Sequence, residues 1–182
     1  MEKKLDLPLT LNKFLQKRDY LYQLDITQDW VKELFEELHN QEESPPAVAG
    51  SLQLNLKVNR KIDTELKDHV LLEGSLTTHY NAQCIRCLGD APMDLTFEFN
   101  ACIVPQALEK NPELNDQICV FTNGHEYNLY FYKSQELPLK DIVREHIYLN
   151  YESSPLHDTE CKGLCQFCGE NLNKTLCTHH SA

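Results

Sequence analysis

Positive charge is scarce in this sequence, which limits what the protein can bind by itself. Its 182 residues include 17 lysines and arginines against 28 aspartates and glutamates, a formal net charge of −11. Affinity for a nucleic-acid backbone depends largely on cationic side chains that displace counterions. The composition therefore excludes a chain that coats RNA or DNA over its whole surface. Any contact with nucleic acid needs a local basic patch or a protein intermediary.

Long apolar runs are also missing. After Met1 and the charged residues 2–4, the apolar stretches are short and are interrupted at Pro8, Thr10 and Asn12. No secretory signal is therefore expected. No run approaches the roughly 20 residues that span a bilayer. We expect a cytoplasmic protein without a membrane partner, and in a reducing compartment clustered cysteines bind metals more often than they form disulfides.

The motifs of several enzyme classes are absent. The sequence has no glycine-rich phosphate loop, no His-Glu-x-x-His helix and no Gly-x-Ser-x-Gly turn. A thioredoxin-type Cys-x-x-Cys pair would open a helix in a βαβ unit, whereas Cys84 is predicted to follow an antiparallel-type strand. These absences predict a protein that is not an enzyme and has no small-molecule substrate.

Cysteine is abundant, and six of the eight cysteines have the spacing of metal ligands. The first cluster is Cys84-Ile85-Arg86-Cys87, and the second consists of Cys161, Cys165, Cys168 and Cys177. A Cys-x-x-Cys turn lets two sulfurs reach one ion, and a glycine with free φ favours such a turn. Gly169, directly after Cys168, is predicted to supply that freedom, and Gly89, two residues after Cys87, to do the same in the first turn.

Two arrangements of these ligands are open, and both predict bound zinc. Two sites of three cysteines and one histidine would each be a closed tetrahedral set, as in structural zinc sites. Their ligands would be Cys84, Cys87, His157 and Cys161 in one site, and Cys165, Cys168, Cys177 and His179 in the other. The alternative is one mixed site made of Cys84, Cys87, Cys165 and Cys168. The sequence thus predicts one or two Zn²⁺ ions, and we prefer two.

The residues next to these clusters have simpler predicted roles. Cys102, opposite in face to Phe97, and Cys119, in an apolar strand, are predicted to be ordinary structural cysteines. Asp158 either orients the His157 imidazole or is a solvated acid in a loop.

Alternating apolar residues in the middle of the chain predict a sheet. The predicted strands are 20–26, 51–59, 70–82, 95–103 and 118–121, with a short strand or an extended edge at 5–11. The first Cys-x-x-Cys turn is predicted to join two long strands. One amphipathic helix is predicted from the N-cap Thr27 to a point before Ser44-Pro45. A second opens at Leu137-Pro138, with a buried face of Leu139, Ile142, Val143, His146 and Ile147.

The predicted fold class is therefore α+β. We expect an antiparallel, hairpin-rich sheet, open or barrel-like, with a few packed helices and a C-terminal zinc-knuckle tail. The predicted division is an α+β domain over 1–155, which carries the first Cys-x-x-Cys turn, and a zinc-binding tail over 156–182 packed on it.

The sequences around both clusters resemble one known family. Cys84-Ile85-Arg86-Cys87-Leu88 resembles the Cys-x-Arg-Cys-Leu motif of the YceD-like family of bacteria and plastids. Residues 161–173 are similar to its second motif, Cys-x-Gly-Leu-Cys-x-x-Cys-Gly-x-Asn-Leu-Asn. The family commonly ends this motif in Cys-x-Cys, whereas this chain has His179. Histidine can replace cysteine at zinc, so this departure affects only the identity of one ligand.

The resemblance implies a non-enzymatic, zinc-stabilised factor in the accumulation of large-subunit (23S) ribosomal RNA, hence in ribosome biogenesis. The resemblance also implies that some shorter members lack the Gly-Leu-Cys tail and keep only the first Cys pair and an element similar to His157-Asp158…Cys161, which favours two sites. Because the chain is acidic, the expected partner is a ribosomal protein or assembly factor. The alternative partner is rRNA at a patch near Arg86, Lys162 and Lys174.

Two other functions compete with this interpretation. A thiol-based metal or redox sensor would need a low pKa at a cysteine that is not bound to metal. A zinc hydrolase would need fewer than four protein ligands on a zinc ion.

Overall fold

A sheet-dominated α+β fold is seen in the computed structural model, which describes residues 1–2, 4–39, 51–112, 114, 117–122 and 124–180. The strands are β1 (Leu9–Thr10), β2 (Asp19–Asp25), β3 (Leu52–Ile62), β4 (Asp68–Gln83), β5 (Asp90–Pro105), β6 (Cys119–Thr122), β7 (His125–Tyr132) and β8 (Glu136–Leu137). The helices are α1 (Asp29–His39) and α2 (Leu139–Asn150). Short 3-10 turns lie at Leu11–Lys13, Gln106–Lys110 and Thr178–His180. No helix among these residues is long and apolar enough to cross a membrane.

Six strands form one sheet in the order β2-β3-β4-β5-β7-β6, and β1 pairs separately with β8. The strands from β2 to β5 are joined antiparallel, as predicted. β7 instead runs parallel to β5. The chain first forms β6 at the sheet edge and then turns back, so that β7 lies between β5 and β6. In the described part of the chain the sheet is open, with β2 and β6 at its edges, and it does not close into a barrel.

One face of the sheet carries the main core. Along β3 every second residue from Leu52 to Val58 is buried, which confirms the predicted alternation. The two helices cover this face. Their buried residues are Trp30, Val31 and Leu34 of α1 and Leu139, Ile142, Val143, His146 and Ile147 of α2. The predicted buried face of the second helix is therefore confirmed.

A smaller apolar cluster lies on the opposite face. Its buried members are Leu66, Leu71, Cys102, Val104, Leu114, Val120 and Tyr127. Cys102 is a buried structural cysteine, as predicted, and burial raises its pKa to about 12. Strand β7 contributes Tyr127 and was not predicted. Its apolar signal is weak because only Tyr127 and Tyr132 are buried among its eight residues.

The N-terminal region has a shorter strand than the alternating leucines suggested, and its first helix lacks the predicted Thr27 cap. Leu5, Leu9 and Leu11 are buried, but only Leu9–Thr10 forms a strand. The alternation there reflects packing of separate turns onto the core. The first helix begins at Asp29, and the Thr27 hydroxyl donates to the Asp25 carboxylate instead of capping it. The helix end predicted before Ser44-Pro45 lies outside the described residues.

Gly74 allows an aromatic ring to lie against the sheet. It pairs with Phe99 on β5, and a Cβ atom at position 74 would lie 2.2 Å from Phe99 Cζ. The His146 ring of α2 stacks on Phe99 with centroids 4.7 Å apart. The ring therefore cannot move away without disturbing the packing of α2.

Replacing this glycine should overpack the core. We expect Gly74→Ala to lower the free energy of unfolding by about 1–3 kcal/mol, measured by chemical denaturation. Ser75→Ala, at the adjacent half-buried position, is the control and should change it by less than about 1 kcal/mol. Equal unfolding free energies for the two variants would contradict the proposed close approach.

Candidate metal centres

The hairpin of β4 and β5 presents the first Cys-x-x-Cys turn, as predicted. Cys84 N donates to Gly89 O at 2.8 Å, and Leu88 N donates to Cys84 O at 2.9 Å. These bonds close the turn directly after β4. Cys84 and Cys87 are both buried, so two long strands fix the positions of two candidate ligands.

The second turn, in the C-terminal segment, repeats this backbone geometry. Cys165 N donates to Glu170 O at 2.8 Å, and Gly169 N donates to Cys165 O at 2.9 Å. In both turns the residue four positions after the first cysteine has a positive φ, +57° at Leu88 and +75° at Gly169. The prediction for Gly169 is confirmed. The prediction for Gly89 is wrong, because the N–H that closes the first turn, and the strained φ, belong to Leu88.

The eight candidate ligands form two groups, and in each group the ligand atoms all lie within 4.8 Å of one another. The first group is Cys84, Cys87, His157 and Cys161, and the second group is Cys165, Cys168, Cys177 and His179. The two turns thus lie in separate groups and do not surround a common point. His157, Cys168 and His179 are exposed, and the other five ligands are buried.

The spacing in the first group fits one tetrahedral ion. The sulfurs of Cys84 and Cys161 are 3.8 Å apart, and His157 Nδ1 lies 3.4 Å from Cys84 Sγ and 3.3 Å from Cys87 Sγ. A zinc ion with Zn–S of about 2.3 Å and Zn–N of about 2.0 Å has S–S edges near ~3.8 Å and S–N edges near ~3.5 Å. All of these cysteines are free thiols.

The second group has the same shape at slightly shorter spacing. Cys177 Sγ lies 3.4 Å from both Cys165 Sγ and Cys168 Sγ, and 3.2 Å from His179 Nδ1. Backbone N–H groups also point at the sulfurs. Phe167 N donates to Cys165 Sγ and His179 N to Cys177 Sγ, each at 3.4 Å. Such donors stabilise thiolates, the form that binds metal.

Ionisation in the first group is uneven. Burial alone would raise the pKa of Cys84, but hydrogen bonds from His157 and from the turn backbone outweigh it and lower the pKa to about 5. Burial raises the pKa of Cys87, and the nearby Cys84 sulfur adds to this effect. One thiolate therefore opposes the formation of the next, and a divalent cation between them would remove this conflict.

The second group shows the same conflict. Backbone N–H groups of Cys168 and Phe167 lower the pKa of Cys165 to about 6. At Cys177 the His179 backbone acts to lower the pKa, but burial and the neighbouring sulfurs raise it to about 11. Both groups are therefore arranged for a cation that binds several thiolates together.

The C-terminal segment packs directly on the first turn. Ile85 N donates to Pro155 O, and Leu164 N donates to Arg86 O, each at 3.0 Å. The Arg86 guanidinium donates to the carbonyl oxygens of Thr159 at 3.1 Å and Cys161 at 3.0 Å. Arg86 thus holds the loop that carries Cys161, a role that its sequence context did not predict.

Asp158 is an exposed acid in a loop, the second of its two predicted alternatives, whereas the role of Asn173 was not predicted. The Asp158 carboxylate accepts the N–H of Glu160 and its carbonyl accepts the N–H of Cys161. Among the described hydrogen bonds none joins Asp158 to the His157 ring. Asp158 instead shapes the loop. Asn173 Nδ2 lies 3.4 Å from Cys161 Sγ. The sequence shows only an asparagine in a loop between two candidate ligands. It does not show which cysteine sulfur the amide contacts.

Fold and site together define an α+β protein whose C-terminal segment and β4–β5 turn could hold two metal ions. The family model described as "Large ribosomal RNA subunit accumulation protein YceD" matches residues 72–182. The chain belongs to this family. The matched residues include all eight candidate ligands.

Two plant proteins named "Large ribosomal RNA subunit accumulation protein YCED homolog 1, chloroplastic" are similar to this chain. The Zea mays protein is 24% identical over 129 residues, which cover 62% of this chain and 44% of that protein. The Arabidopsis thaliana protein is 24% identical over 143 residues, 69% of this chain and 43% of that protein. The chain therefore spans less than half the length of these curated relatives. No solved structure matches it.

Two glycines of the tail allow a graded test of this geometry. Both have positive φ, +74° at Gly163 and +75° at Gly169, but only at Gly163 would a Cβ meet another atom, at 3.0 Å from Arg86 O. Gly169→Ala should lower local stability by about 1 kcal/mol through φ strain alone, and Gly163→Ala should lower it further. Hydrogen exchange at the Leu164 amide measures this difference. Equal protection in both variants would contradict close packing of the tail on the first turn.

Proposed function

We propose that this chain is a non-enzymatic factor, stabilised by two structural zinc ions, that supports the accumulation of large-subunit (23S) rRNA and thereby ribosome biogenesis in the cytoplasm. The observation that carries the proposal is the family match over residues 72–182, which includes both ligand groups. Three thiolates and one imidazole form a set that suits zinc among the common divalent metals. Each group supplies four protein ligands, which supports a structural rather than a catalytic ion.

Zinc would add to the limited apolar packing of the tail, in which Leu156 and Leu164 lie against Cys84, Cys87 and Ala91. Structural zinc contributes on the order of 10 kcal/mol or more to folding, compared with a net stability of roughly 5–15 kcal/mol for a whole domain. In the first group the ion would join His157 and Cys161 of the tail to Cys84 and Cys87 of the sheet. In the second group it would close the tail on itself.

The thiol-sensor alternative receives less support. It requires a low pKa at a cysteine outside the metal groups, and the two such cysteines are Cys102 and Cys119. Burial raises the pKa of Cys102 to about 12, and a hydrogen bond with Glu126 raises the pKa of Cys119. The thiols with lowered pKa, Cys84 and Cys165, both lie inside the proposed zinc groups.

The partner we propose is a basic ribosomal protein or assembly factor, because the chain has a net charge of −11. Direct RNA contact would depend on Lys162 and Lys174, which are exposed. Arg86 is less suited to this contact because its guanidinium donates to two loop carbonyls. We also propose a division into a domain over 1–155 and a zinc tail over 156–182. The first ligand group would join the two parts, and the second lies entirely in the tail.

Metal content tests the zinc part of the proposal. We expect elemental analysis and native mass spectrometry to find two zinc ions in untagged protein purified without added metal. Cys84→Ser and Cys165→Ser should each leave one ion, because each removes a ligand from a different group. Cys119→Ser, outside both groups, should keep two. Protein that is free of metal and fully reduced would overturn this part of the proposal.

The level of ribosomal RNA tests the cellular part. In the source cell, we expect replacement of the native gene by the Cys84→Ser form to lower the ratio of mature large-subunit to small-subunit rRNA. The reason is that loss of the first zinc would release the tail from the sheet. The Cys119→Ser replacement is the matched control and should leave the ratio unchanged. A normal ratio in cells that lack the protein altogether would refute the proposed role.

A further inference from the structure

Residues 171–173 connect the two ligand groups. They lie in the loop between Cys168 and Cys177 of the second group. Leu172 N nevertheless donates to Gly163 O at 3.0 Å, and Leu164 forms an antiparallel bridge with Asn171. Since Gly163 and Leu164 also lie against the Arg86 backbone, the loop of the second group is one layer of backbone away from the first turn.

The side-chain amide of Asn173 has a defined orientation. Its Oδ1 accepts the backbone N–H of Lys162 at 2.8 Å, so this atom must be the oxygen. Nδ2 therefore faces Cys161 Sγ at 3.4 Å and Asn171 Oδ1 at 2.9 Å. Asn171 Oδ1 in turn accepts the N–H of Asn173 at 3.0 Å, which holds the pair together.

We propose that Asn173 is a positioning residue for the first metal group, and that it couples the two metal sites. Its amide donates to the Cys161 sulfur, which stabilises the thiolate and holds it toward the other ligands. Its backbone belongs to the loop between two ligands of the second group. Metal in the second group orders this loop, and the ordered loop then places the amide on Cys161.

This inference rests on the metal binding put forward under Proposed function. Its thermodynamic consequence is reciprocal: loading of the second group raises the affinity of the first, and loading of the first raises that of the second by the same factor. Loss of a hydrogen-bond donor to a metal ligand typically lowers metal affinity by about 10–100-fold. The same range is expected here for the first group.

Two substitutions at Asn173 separate ligand positioning from loop shape. Asn173→Ala removes all three hydrogen bonds of the side chain, to Lys162 N, Cys161 Sγ and Asn171 Oδ1. Asn173→Asp keeps an oxygen to accept the Lys162 N–H but turns a second, negatively charged oxygen toward the Cys161 thiolate. If the amide positions Cys161, both variants bind metal more weakly in the first group. Leu176→Ala, fully exposed in the same loop, is the matched control and should behave as wild type.

The readout is metal retention by the full chain. Zinc-loaded protein is titrated with a chelator and followed by native mass spectrometry, and exposed thiols are alkylated and mapped. In both Asn173 variants the species with one metal ion should appear at a chelator concentration about 10–100-fold lower than in wild type. Among the six ligand thiols, those alkylated first should be Cys84, Cys87 and Cys161, whereas Cys119, outside both groups, should react equally in all variants. Retention equal to wild type in both variants, or in Asn173→Asp alone, would overturn the positioning role.

A ligand substitution tests the coupling directly. Cys177→Ser removes a ligand of the second group and should make the first group lose its zinc at lower chelator concentration. Unchanged retention in the first group would overturn the coupling. Wild-type protein that binds no metal would instead contradict the proposed function, so the two failures are distinguishable.

Discussion

The C-terminal segment buries too few apolar side chains to fix its own position. Between residues 151 and 179 the buried residues are Pro155, Cys161, Gly163, Cys165 and Cys177. Three of these five are candidate metal ligands. Chain segments of about 40 residues or fewer seldom fold by hydrophobic burial alone and use metals or disulfides instead. The position of the tail therefore depends on its hydrogen bonds to the first turn and, under the proposed function, on metal bound by its thiols and imidazoles.

The sheet and the tail contribute equally to the first group, and this gives the group its structural importance. Two ligands come from a turn fixed by two long hydrogen-bonded strands, and two come from a loop that has little structure of its own. Arg86 reinforces this junction, because its guanidinium and its carbonyl both bind the tail backbone. The second group involves the tail alone, so it can shape the tail but cannot attach it to the sheet.

The candidate ligand groups and the negative net charge both bear on the proposed function. A catalytic ion needs an open coordination position, and each group here already brings four protein ligands together. An RNA-coating protein needs an excess of positive charge, and this chain has the opposite sign. The family to which the chain belongs is described by the accumulation of large-subunit rRNA and not by a reaction.

The sequence by itself determined the elements with a strong period and the identity of the candidate ligands. Strand β3 and the buried face of α2 could be predicted because burial on one face imposes a fixed spacing on apolar residues. β7 was missed because most of its side chains are only half-buried, and its parallel pairing to β5 has no local signal. In the same way, spacing identified Cys-x-x-Cys turns but could not assign them to one site or two.

Only the tertiary structure decided which ligands meet and what supports them. The division into two groups arises because residues 155–164 lie across the β4–β5 turn, a contact between segments about 70 residues apart. Long-range contacts also give Arg86 and Asn173 their roles. Arg86 donates to carbonyl oxygens of Thr159 and Cys161, and Asn173 donates to the sulfur of Cys161 in the other ligand group. Local patterns carry information about periodicity and backbone preference, whereas a metal group depends on long-range packing that no local pattern encodes.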